Sequence, residues 1–195
     1  YYSITIFKRI PVFAGLGGGT SNAATLFKFL AKKKLKNIPF NKVVEKIGSD
    51  FRLFFYNYGF LKNMKTIISL QKHHRLYFLL AGPNINSSTK EVYSKVRKYS
   101  KKEKISQAKL KNKKNFIDYI KNSKNDLQSI VEKKHRKISI LLNDIKTMRG
   151  CYFSRMSGSG SVCYGLFTNQ SCSKAALISL RKKHPKFWFS IAKTI

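Results

Sequence analysis

The sequence predicts an α+β fold in two parts, on three observations. An alternating run from Tyr1 to Lys8 feeds the glycine-rich stretch Pro11 to Ala24, and helical spacing follows it. A polar run, Gln71 to Arg75, precedes the apolar, strand-sized segment Leu76 to Ala81, which places a boundary between parts 1–72 and 73–195. Near the end, Cys151 to Met156 and Val162 to Phe167 flank the small-residue turn Ser157 to Ser161 as a hairpin would. Helices on an antiparallel sheet are therefore expected in the second part, and a smaller sheet in the first.

Ile4 and Ile6 share one face of the opening strand. From Thr20 to about Lys34, Ala23, Ala24, Phe27 and Leu30 recur at helical spacing, with lysines at the end that the helix dipole favours. Asn41 to Ile47 reads as a second helix, capped by Asn41 and ended by Gly48. Phe51 to Phe55 and Phe60 to Leu70 read as strands. In the second part, Gly82-Pro83-Asn84 turns the first strand and Thr89 to Tyr99 is helical. Lys101 to Asn115 lacks apolar periodicity and reads as a solvated connection. Helices are expected at Phe116 to Lys121, at Leu127 to Met148 (capped by Asn125 or Asp126, closed at Gly150) and at Ser173 to Lys183, then a strand at Phe187 to Ala192. His73, His74, His135 and His184 have no evident partners and are read as surface residues.

With 195 residues, 43% of them apolar, the chain can bury a core. No window reaches the 18 or so apolar residues of a membrane helix, so no membrane role is expected. Cys151, Cys163 and Cys172 form neither a disulfide framework nor a metal pattern, which suggests a reducing cytoplasm. Forty Lys and Arg against eight Asp and Glu give a net charge of +32, which raises nucleic acid as a partner. The lysines are scattered, however, and accompany many Asn, Ile, Phe and Tyr, all A/T-rich in codon usage. With no recognition motif, specific nucleic-acid binding is not expected.

Gly15, Gly17, Gly18 and Gly19 let an anion approach backbone N–H groups, and Thr20, Ser21 and Asn22 open the helix that follows. The P-loop pattern fails because no lysine follows Gly19, and the dinucleotide fingerprint fails because Thr20 stands at its third glycine. A phosphate cradle and a plain tight turn both remain open. Asp50, one of eight acidic residues, lies between Gly48-Ser49 and an apolar run, where acid–base chemistry and capping are both reasonable.

The loop Gly15-Leu16-Gly17-Gly18-Gly19-Thr20-Ser21-Asn22-Ala23-Ala24, preceded by Pro11, resembles that of the GHMP superfamily of small-molecule kinases. Three further segments match in order: Ile47-Gly48-Ser49-Asp50; Asn86 to Tyr93 with Asn125-Asp126-Leu127; and Arg155 to Ser161. The resemblance implies a ribosomal protein S5 domain 2-like first domain and a ferredoxin-like second domain. It also implies ATP-dependent phosphorylation of an alcohol on a small cytidylyl substrate in isoprenoid precursor synthesis. Pro11, Ala14, Gly15, Leu16, Gly17, Gly18, Gly19, Thr20, Ser21 and Asn22 would hold ATP, with Ser21 helping to order Mg²⁺. Asp50 would be the base, Tyr93 would stack on cytosine, and Ser157, Gly158 and Gly160 would close the site.

The chain also departs from the family. Family members carry a lysine and a tyrosine-histidine pair upstream of the loop, and this sequence opens at Tyr1, so a missing N-terminal segment with exposed apolar surface is expected. Arg52 stands where proline is usual, and Lys62 to Lys65 where a glycine-glutamate pair is common. A non-catalytic remnant with weak nucleotide binding and a basic nucleic-acid binder are the alternative readings.

Overall fold

Alternation along Tyr77–Gly82 decides the second part: Leu79 and Ala81 face one way into a buried core, and Phe78 and Leu80 the other, where Phe78 is packed and Leu80 lines an apolar cavity. The computed structural model describes residues 3–32, 39–62, 66–70, 72–101 and 106–194. Strand β3 (Tyr77–Gly82) lies centrally in an antiparallel sheet with β4 (Cys151–Met156), β5 (Cys163–Phe167) and β6 (Trp188–Lys193), in the order β4-β5-β3-β6. Leu79 pairs with Gly165 on one side and with Ile191 on the other. With helices between β3 and β4 and between β5 and β6, this is the ferredoxin-like arrangement.

On one face pack α7 (Arg136–Lys146) and α8 (Gln170–Lys183), burying Ile138, Leu141, Ile145 and Leu180 against Leu79, Met156 and Phe167. Gly165 permits the close approach, since a Cβ there would stand 2.4 Å from Ile145 Cγ2. The opposite face, with Phe78, Phe153 and Leu166, is covered by α4 (Gln107–Leu110), α5 (Lys113–Asn122) and a hairpin of β1 (Gly59–Leu61) and β2 (Ile67–Ser69). Between β3 and α4 stands α3 (Thr89–Ser94), and α6 (Gln128–Lys134) precedes α7.

A separate aromatic cluster holds the first part. Phe27 of α1 (Gly18–Lys32), Phe40 of α2 (Phe40–Ile47) and Phe51 and Phe55 of a 3₁₀ helix (Ser49–Phe55) meet at centroid distances of 5.0 to 5.8 Å. Phe51 is fully buried there.

Several expectations are corrected. Residues 3–8 form no strand: none of the described strands pairs with them, and Ile4, Ile6 and Phe7 are exposed. Phe51 to Phe55 is a 3₁₀ helix rather than a strand: Phe51, Phe54 and Phe55 all pack into one cluster, a helical spacing that strand alternation would split between two faces. Phe60 to Leu70 is a short hairpin, and its residues 63–65 lie outside the described residues. Pro39, not Asn41, begins α2, and the Asn41 amide oxygen accepts instead from Arg52 (3.0 Å). The helix at Thr89 stops at Ser94, short of Tyr99.

Within Lys101 to Asn115, residues 102–105 lie outside the described residues, while 107–110 and 113–115 are helical and Leu110 is buried. One apolar side chain anchored that segment where periodicity gave no sign. The expected long helix from Leu127 breaks at His135 (φ −134°, ψ 88°) into α6 and α7. His74 is buried and donates from Nε2 to Leu110 O (2.9 Å), so it joins two elements rather than facing solvent.

His184 is also no surface residue. It stacks on Phe187 and donates to Asp144 Oδ2 (2.7 Å), while Lys183 donates to Oδ1 (2.6 Å). Burial works to raise the Asp144 pKa, yet the hydrogen bonds from Lys183 and His184 hold it below the ordinary value. A depressed native pKa stabilises the fold above the unfolded value near pH 4 and loses that contribution as pH falls through the native one. Asp144→Ala is therefore expected to cost about 1–3 kcal/mol at pH 7. Urea unfolding should show the gap to wild type narrowing in acid.

Candidate functional site

The two glycine stretches, far apart in sequence, lie backbone to backbone. Ser161 N–H donates to Phe13 O (3.0 Å) and Val162 N–H to Ala14 O (3.2 Å). The Ser157 hydroxyl donates to Gly15 O (2.7 Å). Gly15 has φ +67°, and a Cβ on it would stand 2.2 Å from Ser157 O. Only glycine fits that crossing.

Past it the chain turns into α1. Ser21 N–H donates to Gly17 O (2.8 Å), so the N–H groups of Gly18, Gly19 and Thr20 belong to the first helical turn and have no acceptor within the helix. A Cβ on Gly18 or Gly19 would meet nothing within 4 Å. Their backbone is thus open to a ligand, with the positive end of α1 behind it.

Asp50 enters from the first turn of the 3₁₀ helix, after Gly48 (φ +117°) has redirected the chain from α2. Tyr93 enters from α3, which the Ser88 hydroxyl caps. Glu91 fastens α3 by its carboxylate to Lys95 and Lys134, each at 2.7 Å; their hydrogen bonds hold its pKa down to about 2. Burial pushes the Tyr93 phenol up, and the charges of Asp50 and then Tyr99 add to the rise. Asp50 and Tyr93 therefore face a common space.

That space is a cavity of about 600 Å³. Of the residues read from the sequence, Pro11, Ala14, Gly15, Leu16, Gly17, Gly18, Gly19, Ser21 and Asn22 line one side. Asp50, Tyr93, Gly158 and Gly160 complete it. Thr20 and Ser157 are not among its described lining residues, and Ser157 acts instead by gripping Gly15. Arg52 is absent from the lining too: its guanidinium lies over the Phe40 ring (5.4 Å) and bonds Asn41. Of Lys62 to Lys65, residues 63–65 lie outside the described residues.

Sequence reasoning assigned no role to Lys8, Arg9, Thr89 and Ser159, all of which line the cavity. Lys8 and Arg9 stand in the run before Pro11, and their charges suit polyphosphate. Thr89 and Ser159 share a hydrogen bond (2.9 Å). Their signal was present in the ordered segments around Tyr93 and Gly158, which were read for Tyr93 in the one and for Ser157, Gly158 and Gly160 in the other.

Oxygen donors, the Ser21 hydroxyl and the Asp50 carboxylate, face the cavity, and oxygen is what Mg²⁺ takes. Among the described residues no group of three or more His, Cys, Asp or Glu could hold a metal ion. The donor set fits an ion carried mainly by nucleotide phosphates and water.

A 4-diphosphocytidyl-2-C-methyl-D-erythritol kinase of Pelagibacter ubique is 33% identical over 100% of this chain and 69% of its own length. The chain belongs to that kinase family. The enzyme of the same name from Anaplasma phagocytophilum is 29% identical over 95% of this chain, which spans 64% of that relative. Residues 102–186 match the family described as GHMP kinases C terminal. A crystal structure of 4-(cytidine 5'-diphospho)-2C-methyl-D-erythritol kinase shares the fold, with a TM-score of 0.73 at 20% identity over 94% of this chain and 68% of that one. A homoserine kinase from Cytophaga hutchinsonii shares it less closely, with a TM-score of 0.65 at 15% identity over 96% of this chain and 68% of that one. Among the described residues of this family member, no helix is long and apolar enough to cross a membrane.

Proposed function

We propose that this chain phosphorylates the 2-hydroxyl of 4-diphosphocytidyl-2-C-methyl-D-erythritol with ATP, in isoprenoid precursor synthesis. The observation that carries the reading is the meeting of Asp50, Tyr93 and both glycine stretches around one cavity. Family membership supplies the substrate.

In this reading the free N–H groups of Gly18, Gly19 and Thr20, with the α1 dipole, receive the phosphates. Lys8 and Arg9 add positive charge at the same wall. Mg²⁺, when bound, neutralises charge on the phosphates. The Ser21 hydroxyl offers that ion an oxygen ligand. Asp50 orients the acceptor hydroxyl and takes its proton as the phosphoryl group is transferred. Tyr93 stacks on the cytosine, while Gly158 and Gly160 close the wall behind Gly15. The division at residue 72 then separates the loop and base from the part that carries Tyr93. Cys151, Cys163 and Cys172, all free, suit a reducing cytoplasm.

A coupled assay of ADP release with the cytidylyl substrate tests this reading directly. Turnover is expected, and failure to turn over or to bind ATP would refute it. Tyr93→Ala should remove stacking worth about 1–3 kcal/mol, raising KM for the cytidylyl substrate roughly 5- to 150-fold and leaving ATP binding near wild type. Substrate titrations at saturating ATP measure it.

A further inference from the structure

Resting on the reading of the cavity as a nucleotide site, we infer that Asn125 is the positioning residue of its second glycine stretch. Its side-chain amide donates from Nδ2 to both Met156 O (2.8 Å) and Gly158 O (2.8 Å). The other end of the same amide is fixed, because its Oδ1 accepts from Leu127 N–H (3.0 Å) at the entrance to α6. Two donated bonds thus span the point where β4 ends and the turn begins. The nearest hydroxyls on the turn are engaged elsewhere, Ser157 with Gly15 O and Ser159 with Thr89.

The far side of the turn is held as well. The Ser87 hydroxyl donates to Ser159 O (2.7 Å), and Thr89 shares a bond with the Ser159 hydroxyl (2.9 Å). Asn125 and this serine-threonine pair grip the turn from opposite sides, and the turn in turn carries the Gly15 crossing. Loss of Asn125 would leave the Met156 and Gly158 carbonyls without these donors and let Gly158 leave the cavity wall. Phosphate-facing N–H groups at Gly18 and Gly19 would then lose their fixed relation to the rest of the site. Asn125 does not line the cavity that holds Gly18 and Gly19; it lines an adjoining one of about 430 Å³ with Tyr93 and Gly158.

The test compares Asn125→Ala and Asn125→Asp with Asn169→Ala in the 195-residue chain. Asn169 caps α8 through Cys172 N–H (2.8 Å) and serves as a purely structural control of similar chemistry. Amide exchange over residues 156–162 should accelerate about tenfold or more in Asn125→Ala and stay at the wild-type rate in Asn169→Ala. The affinity for a non-hydrolysable ATP analogue, read by calorimetry, should fall about tenfold or more in the first and less than twofold in the second.

Asn125→Asp sharpens the test, because an ionised carboxylate facing two carbonyls repels them while a protonated one can donate. Its analogue affinity relative to wild type should therefore recover in part as pH is lowered. Unchanged exchange in Asn125→Ala, or equal losses in the two alanine variants, would overturn the inference. Should wild type turn over the cytidylyl substrate while Asn125→Ala keeps full analogue affinity, this inference falls and the kinase reading stands. Should the exchange respond while wild type binds no analogue, the nucleotide reading falls and takes the phosphate role of Asn125 with it.

Discussion

Gly15→Ala is expected to lower the melting temperature by roughly 10 °C and to abolish nucleotide binding. The added Cβ would sit 2.2 Å from Ser157 O and 2.9 Å from Gly160 N, both backbone atoms, at a residue held at φ +67°. Positive φ alone costs a non-glycine residue about 1–3 kcal/mol, and the clash can be relieved only by parting the two glycine stretches. At about 2–4 °C per kcal/mol for a chain of this size, about 3 kcal/mol gives the stated shift. Gly19→Ala supplies the contrast. A Cβ there meets nothing within 4 Å, and alanine in the first turn of a helix is no worse than glycine. Its melting temperature should hold or rise while analogue affinity drops tenfold or more, because the new methyl group occupies the approach to the N–H groups. Thermal melts with calorimetric titration of both variants separate a glycine needed by the fold from one needed by the ligand. Equal behaviour of the two would remove the phosphate cradle from this loop.

The sequence carried the second part of the fold well and the first part poorly, for physical reasons. β3 and β5 are paired on both sides and β4 and β6 each flank one of them, so their apolar runs end where turn residues such as Gly82-Pro83 and Gly150 begin. The aromatic run at Phe51 to Phe55 suits a strand by composition, but its burial is set by Phe27 and Phe40 of two helices, and a tertiary partner is invisible to a local period. The run from Tyr1 to Lys8 alternates in sequence like a strand, with Ile4 and Ile6 on one face, but none of the described strands pairs with residues 3–8. The glycines of the first stretch drew attention by their own chemistry, whereas Asp50 and Tyr93 were singled out through the resemblance, capping and core packing being equally open on the residues alone. Asn125, Ser87 and Thr89 act on backbone carbonyls or on one another, and a bond between a side chain and a distant backbone leaves no spacing to read. Ser87 and Thr89 left only their place in the same short segment as Tyr93, and Asn125 was legible as a helix cap but not for its bonds to the turn.

Asp50→Asn is expected to reduce kcat by about 10² to 10⁴-fold with KM for both substrates within about threefold of wild type. The argument begins with position: Asp50 is exposed, sits in the first turn of the 3₁₀ helix and lines the same cavity as Gly18 and Tyr93. Asparagine keeps its shape and can still accept a hydrogen bond, so the site and the aromatic cluster under it should stay intact. What it cannot do is take a proton. A capping role would predict little change in either stability or kcat, since asparagine caps about as well as aspartate. A second readout fixes the geometry independently of turnover. The Asp50 charge contributes to the raised pKa of Tyr93, so the variant's Tyr93 phenol should titrate lower than in wild type. A lowered Tyr93 titration with unchanged kcat would leave Asp50 beside the substrate and remove it as the base.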